Sequence, residues 1–250
     1  VRSVVLRECR RGEVGERDRA EERVARFHIG PFHEIDDFPM LWTWFEEDDI
    51  LYRLGHPRLH TTPDGDFRDH ILWHAAAGGV GLIACQWAKA LGYQLIATAG
   101  SDEKCQLARA NGAAHAINYR AEDFAARVHE ITGGQGVKVV YDSVGKDTFQ
   151  ASIDCLQPFG LMVSFGNASG PVPPMALTAL KGSLYVTRPS LMAHTANRAN
   201  LEEMAADLFR MVGSGKVKIE IDQRYRLADA VQAHRALASR KTTGSSLILP

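Results

Sequence analysis

From Ile71 onward the chain alternates short, nearly continuous apolar runs with segments whose apolar residues recur at helical spacing. The runs Ile71–Trp73, Tyr93–Thr98, His115–Asn118, Val137–Val144, Leu161–Phe165 and Leu184–Thr187 lack the strict in–out alternation of a half-exposed strand. They predict strands buried on both faces, as in a parallel sheet. Helices are expected after the loop Ala75–Gly81 as far as Leu91, from Ser101 to Asn111-Gly112, over Glu122–Ile131 and over Asp147–Leu156. Ser101 can cap the second of these, with Asp102 and Glu103 at the positive end of its dipole. Gly92, Asn111-Gly112 and Gly133-Gly134 supply stops. Strand–helix alternation with right-handed crossovers gives an α/β fold, a doubly wound parallel sheet of six strands.

The pattern has no counterpart before His70. Residues 1–70 hold 11 arginines, 16 acidic residues and no lysine, and only Phe38–Leu54 carries enough apolar side chains to bury a face. An atypical charged segment, solvated helix or disorder, is expected there. Residues 71–250 carry 18 basic against 14 acidic residues. That mild positive balance suits an anionic ligand but is too small for nucleic acid, and no basic stripe interleaved with aromatics accompanies it. Cys9, Cys85, Cys105 and Cys155 form no CxxC pair, so no disulfide framework or zinc site is expected, and Cys85, Cys105 and Cys155, in helical patterns among apolar neighbours, are read as small core residues in a reducing compartment. No apolar run reaches membrane-spanning length and no leader pattern opens the chain, so a soluble cytoplasmic protein is expected, with no membrane partner.

The chemistry concentrates at His74–Gly81, HAAAGGVG, between the first strand and the first helix. A dinucleotide's pyrophosphate needs a helix start with free N–H groups and no side chains in the way. Gly78 and Gly79 remove Cβ atoms where phosphates approach, and Gly81 lets the helix pack closely on the sheet. At the end of the second strand, where NAD-preferring folds place an acid for the ribose, the chain has Thr98-Ala99-Gly100-Ser101. With no acid before Asp102, and with Ser101 and Lys104 able to reach a 2′-phosphate, the expected cofactor is NADPH. His74 is read as strand-end packing rather than as a base.

The run Trp73–Leu91 (WHAAAGGVGLIACQWAKAL) resembles the bacterial NADPH:quinone oxidoreductases, zinc-independent members of the medium-chain dehydrogenase/reductase superfamily related to zeta-crystallin. The likeness continues through Ala116–Tyr119, Ile131–Gly134, Val139–Gly145, Leu161–Asn167, Gly182–Leu191 and Gly244–Pro250, and it covers residues 71–250. It implies an NADPH-binding Rossmann domain over 71–215 and a segment over 216–250 that returns to a β-rich catalytic domain. Position by position, the resemblance places Gly79 and Val80 at the pyrophosphate and Gly100, Ser101 and Lys104 at the 2′-phosphate. It places Tyr119 at the adenosine side and Arg240 as a second cation near the 2′-phosphate. Ser143, Phe165, Gly166 and Asn167 fall at the nicotinamide half, and Pro189, Ser190 and Leu191 line its pocket.

The implied reaction is hydride transfer from NADPH to a quinone-type acceptor, in which the protein supplies orientation and exclusion of water. No metal site and no catalytic side chain is assigned. Residues 1–70 show no counterpart of the catalytic domain, so Lys216–Ile221, Leu227–Ala238 and Ser245–Leu249, expected as strand, helix and strand, would lack their usual partner. The alternative reading is a truncated or frame-disrupted homologue that binds NADPH without turnover. An enoyl reductase of the same superfamily would share this fold and loop. A homodimer is expected through the edge strand near Gly182–Arg188.

Overall fold

The computed structural model describes residues 70–240 and 242–250. Of the charged segment 1–70 singled out above, residues 1–69, Cys9 among them, lie outside the described residues. Six strands form one sheet in the order β3-β2-β1-β4-β5-β6: β1 (His70–Trp73), β2 (Gln94–Ala99), β3 (His115–Asn118), β4 (Val137–Asp142), β5 (Leu156–Ser164) and β6 (Tyr185–Thr187). Every pairing is parallel. The strand order reverses between β1 and β4, which places a crevice at their carboxyl ends.

The strand interiors are buried because both faces are covered. On one face Trp73, Ala97, Tyr141 and Val163 pack with Ala84, Trp87 and Ala88 of α1 (Gly79–Leu91), with Cys105 and Ala108 of α2 (Asp102–Ala110), and with Met211. On the other, Leu72, Ile96, Val140 and Met162 meet Phe124 and Val128 of α3 (Phe124–Ile131) and Phe149 and Ile153 of α4 (Phe149–Asp154). Each helix stops for a local reason. Gly92 takes a left-handed φ of 86° and returns its N–H to Ala88 and Lys89. Ser101 Oγ accepts the Lys104 N–H at the start of α2, and Asp123 caps α3 through the N–H groups of Ala125 and Ala126.

Two elements differ from the sequence reading. β5 begins five residues early, at Leu156, because Val137 pairs with Leu156 ahead of the register shift in β4, and α4 shortens accordingly. Lys216–Ile221 is not a strand. Val217 buries its side chain in the core, while Lys218 exchanges two main-chain hydrogen bonds with the Gln86 amide of α1 (2.9 and 2.7 Å). A side chain thus satisfies the main chain that a neighbouring strand would otherwise pair. The strand forms instead at β7 (Ile221–Arg226), parallel to β8 (Ser245–Leu249) in a separate two-stranded sheet. Between them lies α7 (Ala230–Ala238), and before them α5 (Leu191–His194) and α6 (Arg198–Gly213), which the strand pattern alone did not predict.

Candidate functional site

The glycine loop leaves β1 at His74 and enters α1 directly. Gly78 is the N-cap residue, with extended φ and ψ, no side-chain cap and no acidic residue in the first turn of the helix. The N–H groups of Gly79, Val80 and Gly81 therefore have no carbonyl of their own helix to accept them. The three glycines differ in what requires them. A Cβ on Gly81 would fall 2.5 Å from the Ala76 main chain, so close packing of helix on loop demands glycine there. A Cβ on Gly79 would lie 2.7 Å from Ser245 Oγ, and one on Gly78 would make only ordinary contact at 3.4 Å from the Ala75 carbonyl oxygen. Residues Gly244 and Ser245 thus cross beside the start of α1, and the Gly244 N–H donates to the Ala77 carbonyl.

The turn after β2 gathers the second group of expected residues. A Cβ on Gly100 would stand 2.7 Å from the Tyr119 hydroxyl oxygen, so Tyr119, half exposed at the end of β3, lies against this turn. The Lys104 ammonium donates to the carbonyl oxygens of Arg240 (2.7 Å) and Thr242 (3.2 Å), and the Arg240 guanidinium donates to the Ala168 carbonyl (2.8 Å). Burial, then the nearby Arg120 charge, holds Lys104 below the usual lysine range. Asp102, the first acid after the strand, has its carboxylate engaged by the Asn118 amide at 2.8 Å.

At the ends of β4 and β5, Gly166 stacks on Ser143 so tightly that a Cβ would meet the Ser143 carbonyl oxygen at 2.4 Å. The Phe165 ring lies 5.5 Å from that of Trp73, and Asn167 adjoins the Ala168 that accepts from Arg240. Pro189, Ser190 and Leu191 follow β6, beside Arg188, whose guanidinium donates to the Ser164 carbonyl. Ser190 and Leu191 hydrogen-bond within their own short helix, and Leu191 is largely exposed.

Beneath the crevice runs a buried polar chain of which the sequence signalled only His74. The His74 ring nitrogens stand 2.8 Å from Thr98 Oγ1 and 2.9 Å from Ser152 Oγ. Ser152 and Thr148 donate to Asp142, which also takes the N–H groups of Val144 and Gly145. Burial pushes the His74 ring down to about 4 against the opposing pull of the Asp142 carboxylate. His74 is fully enclosed, consistent with packing rather than with chemistry at the crevice. Burial pushes the thiols of Cys85 and Cys155 up to about 12, so neither is a nucleophile at neutral pH. Arg120 was not singled out in the sequence, although it adjoins Tyr119.

A family model described as zinc-binding dehydrogenase matches residues 79–210. The quinone oxidoreductase of Salmonella typhimurium is 58% identical over 204 residues, 80% of this chain and 61% of its own length. A 2-haloacrylate reductase of Burkholderia sp is 43% identical over 77% of this chain and 59% of its own. The crystal structure of Escherichia coli quinone oxidoreductase complexed with NADPH superposes with a TM-score of 0.72 at 51% identity, covering 82% of this chain and 63% of that one. The chain thus spans about three fifths of the length of these relatives.

Proposed function

The chain belongs to the zinc-binding dehydrogenase family, and from that premise we propose that it binds NADPH across the crevice at the carboxyl ends of its sheet and reduces quinone-type acceptors. The observation that carries the reading is the start of α1, which has a glycine cap, no capping side chain and no acid in its first turn. Such a helix start favours a diphosphate through its oriented donors and its dipole. Gly78, Gly79, Val80 and Gly81 would hold the pyrophosphate, and Gly100, Ser101, Lys104, Tyr119 and Arg240 the adenosine with its 2′-phosphate. Ser143, Phe165, Gly166 and Asn167 would flank the nicotinamide, with Pro189, Ser190 and Leu191 along its pocket.

Bound NADPH would supply a hydride, and with one proton from solvent the quinone becomes a hydroquinone. The chain's own residues orient and shield: the tight Gly166–Ser143 contact and the Phe165 ring packed at a tilt against Trp73 give one wall of the crevice a fixed shape. Zinc is given no step, because among the described residues no three His, Cys, Asp or Glu side chains gather as a ligand set. Among the described residues no helix is long and apolar enough to cross a membrane. The buried free thiols Cys85, Cys105 and Cys155 support a reducing, cytoplasmic setting. The short β6 at the sheet edge supports pairing with a second copy.

The second reading is a chain that binds NADPH without turning over. Calorimetry of the full chain with NADPH, followed by NADPH oxidation with a benzoquinone, separates the two. Heat and turnover are expected. Heat without turnover supports the second reading, and no heat overturns both.

A further inference from the structure

A carboxylate lies buried behind the wall assigned to the nicotinamide. Asp142, the last residue of β4, is fully enclosed. Its main chain and side chain together organise that wall. The Asp142 carbonyl accepts the Phe165 N–H at 2.9 Å, and Oδ1 accepts the N–H groups of Val144 (2.6 Å) and Gly145 (3.0 Å). Ser143 is thereby held in the turn against which Gly166 packs, and the Ser143 carbonyl takes the Ala168 N–H at 3.2 Å. Oδ2 accepts the Thr148 hydroxyl at 2.7 Å and, at the outer limit of a hydrogen bond, the Ser152 hydroxyl at 3.5 Å.

All four of these donors are neutral, and among the described residues no lysine or arginine pairs with the carboxylate. Nor does His74 supply the missing charge. A carboxylate only accepts, so donation runs one way along the chain. Ser152 O–H is directed to Asp142, His74 Nε2–H to Ser152 Oγ, and Thr98 O–H to His74 Nδ1. With burial pushing its pKa down to about 4, the ring is neutral at pH 7. A buried charge without a counter-charge is costly. A turn cap does not need one, because an asparagine or serine can accept the same two N–H groups. The fold thus accounts for the shape of this side chain and leaves its charge to be accounted for by something else.

We propose that the buried Asp142 carboxylate favours the oxidised, cationic nicotinamide over the neutral reduced one, with Thr148, Ser152 and His74 keeping that charge in place. When an acceptor takes a hydride, one proton with two electrons, the nicotinamide ring is left with a unit positive charge. A fixed anion behind the wall attracts that charge through a poorly screening interior. Asp142 touches neither cofactor nor substrate: it is a positioning residue that acts through the Ser143 turn and through its field. The assignment rests on the reading that this crevice binds NADPH, with the nicotinamide beside Ser143 and Phe165.

Dissociation constants of the full chain for NADP⁺ and NADPH, measured by calorimetry for the parent, Asp142→Asn, Asp142→Ser and Ser152→Ala, test it. Asp142→Asn keeps an acceptor for the two N–H groups, and the Thr148 hydroxyl can turn to the Gly145 carbonyl, 3.3 Å away, while accepting from the amide. It is expected to weaken NADP⁺ about tenfold relative to NADPH, the scale of a unit charge acting over roughly 10 Å of protein interior. A tenfold change in that ratio raises the two-electron potential of the bound pair by about 30 mV. Ser152→Ala cuts the link to His74 and leaves the carboxylate, so its ratio should stay at the parent value. Thermal melts accompany each variant, and binding is read below the lowest midpoint. Asp142→Ser repeats the comparison with a second neutral cap if Asp142→Asn melts early. Equal weakening of both forms in the neutral variants, or none, overturns the proposal, as does a ratio moved equally far by Ser152→Ala. A parent that binds neither form overturns the NADPH reading itself, and this assignment with it.

Discussion

His74 follows β1 with its ring between the hydroxyls of Thr98, on β2, and Ser152, on α4. Its folded pKa of about 4 lies below the ordinary 6.5, so the unfolded chain binds the proton more readily. Stability contributed by the neutral ring is complete above about pH 6.5 and is lost as pH falls toward 4, by on the order of 3 kcal/mol. Urea unfolding across that window should show this slope, and His74→Gln should flatten it; a parent and variant with the same slope would refute it. Residues differ in how far the sequence announces them. Gly100 and Tyr119 are named by local motif and prove to touch. Ser152 carries no motif, because a hydrogen bond across 78 residues of chain leaves no trace in spacing. Arg120 stands in plain view, yet any surface arginine looks the same until Gly100 is placed against it.

At the scale of elements, α1 shows that glycines in one motif serve different ends. Gly81 sits where a Cβ would overlap the Ala76 main chain, whereas Gly78 has room for one. Gly81→Ala should therefore destabilise the fold by about 2–3 kcal/mol, the cost of forced overpacking. Gly78→Ala should cost under about 1 kcal/mol at a cap position without a side-chain bond, yet weaken NADPH by crowding the approach to the helix start. Denaturant titration combined with calorimetry checks both, and equal stability losses would contradict the distinction. Strand and helix periodicity located β1 to β6 and the first four helices to within a few residues, because continuous apolar runs and cap residues act locally. The shift from Lys216–Ile221 to Ile221–Arg226 was hidden, because Gln86 on a distant helix takes the hydrogen bonds of Lys218.

On the scale of the whole molecule, the small sheet of β7 and β8 leaves Leu247, Ile248 and Leu249 partly bare, and Leu227, Val231 and Leu237 nearby more so. The six-stranded sheet ends at β6, where Val186 is 42% exposed on an open edge. If two copies join there, Val186→Lys should convert the homodimer to a monomer in light scattering at micromolar concentration, since an edge lysine opposes strand pairing. A parent that is already monomeric, or a variant that stays dimeric, would remove that edge as the interface. The amino-acid sequence by itself determined the layered parallel fold, the glycine-loop crevice and the absence of an acid beside it. Those properties follow from the local succession of apolar, small and capping residues. Only the tertiary structure decided that Lys104 reaches the carbonyls of Arg240 and Thr242, and how His74 joins Asp142 through Ser152. Such pairings depend on distances between segments far apart in the chain, and these exist only once both faces of the sheet are packed.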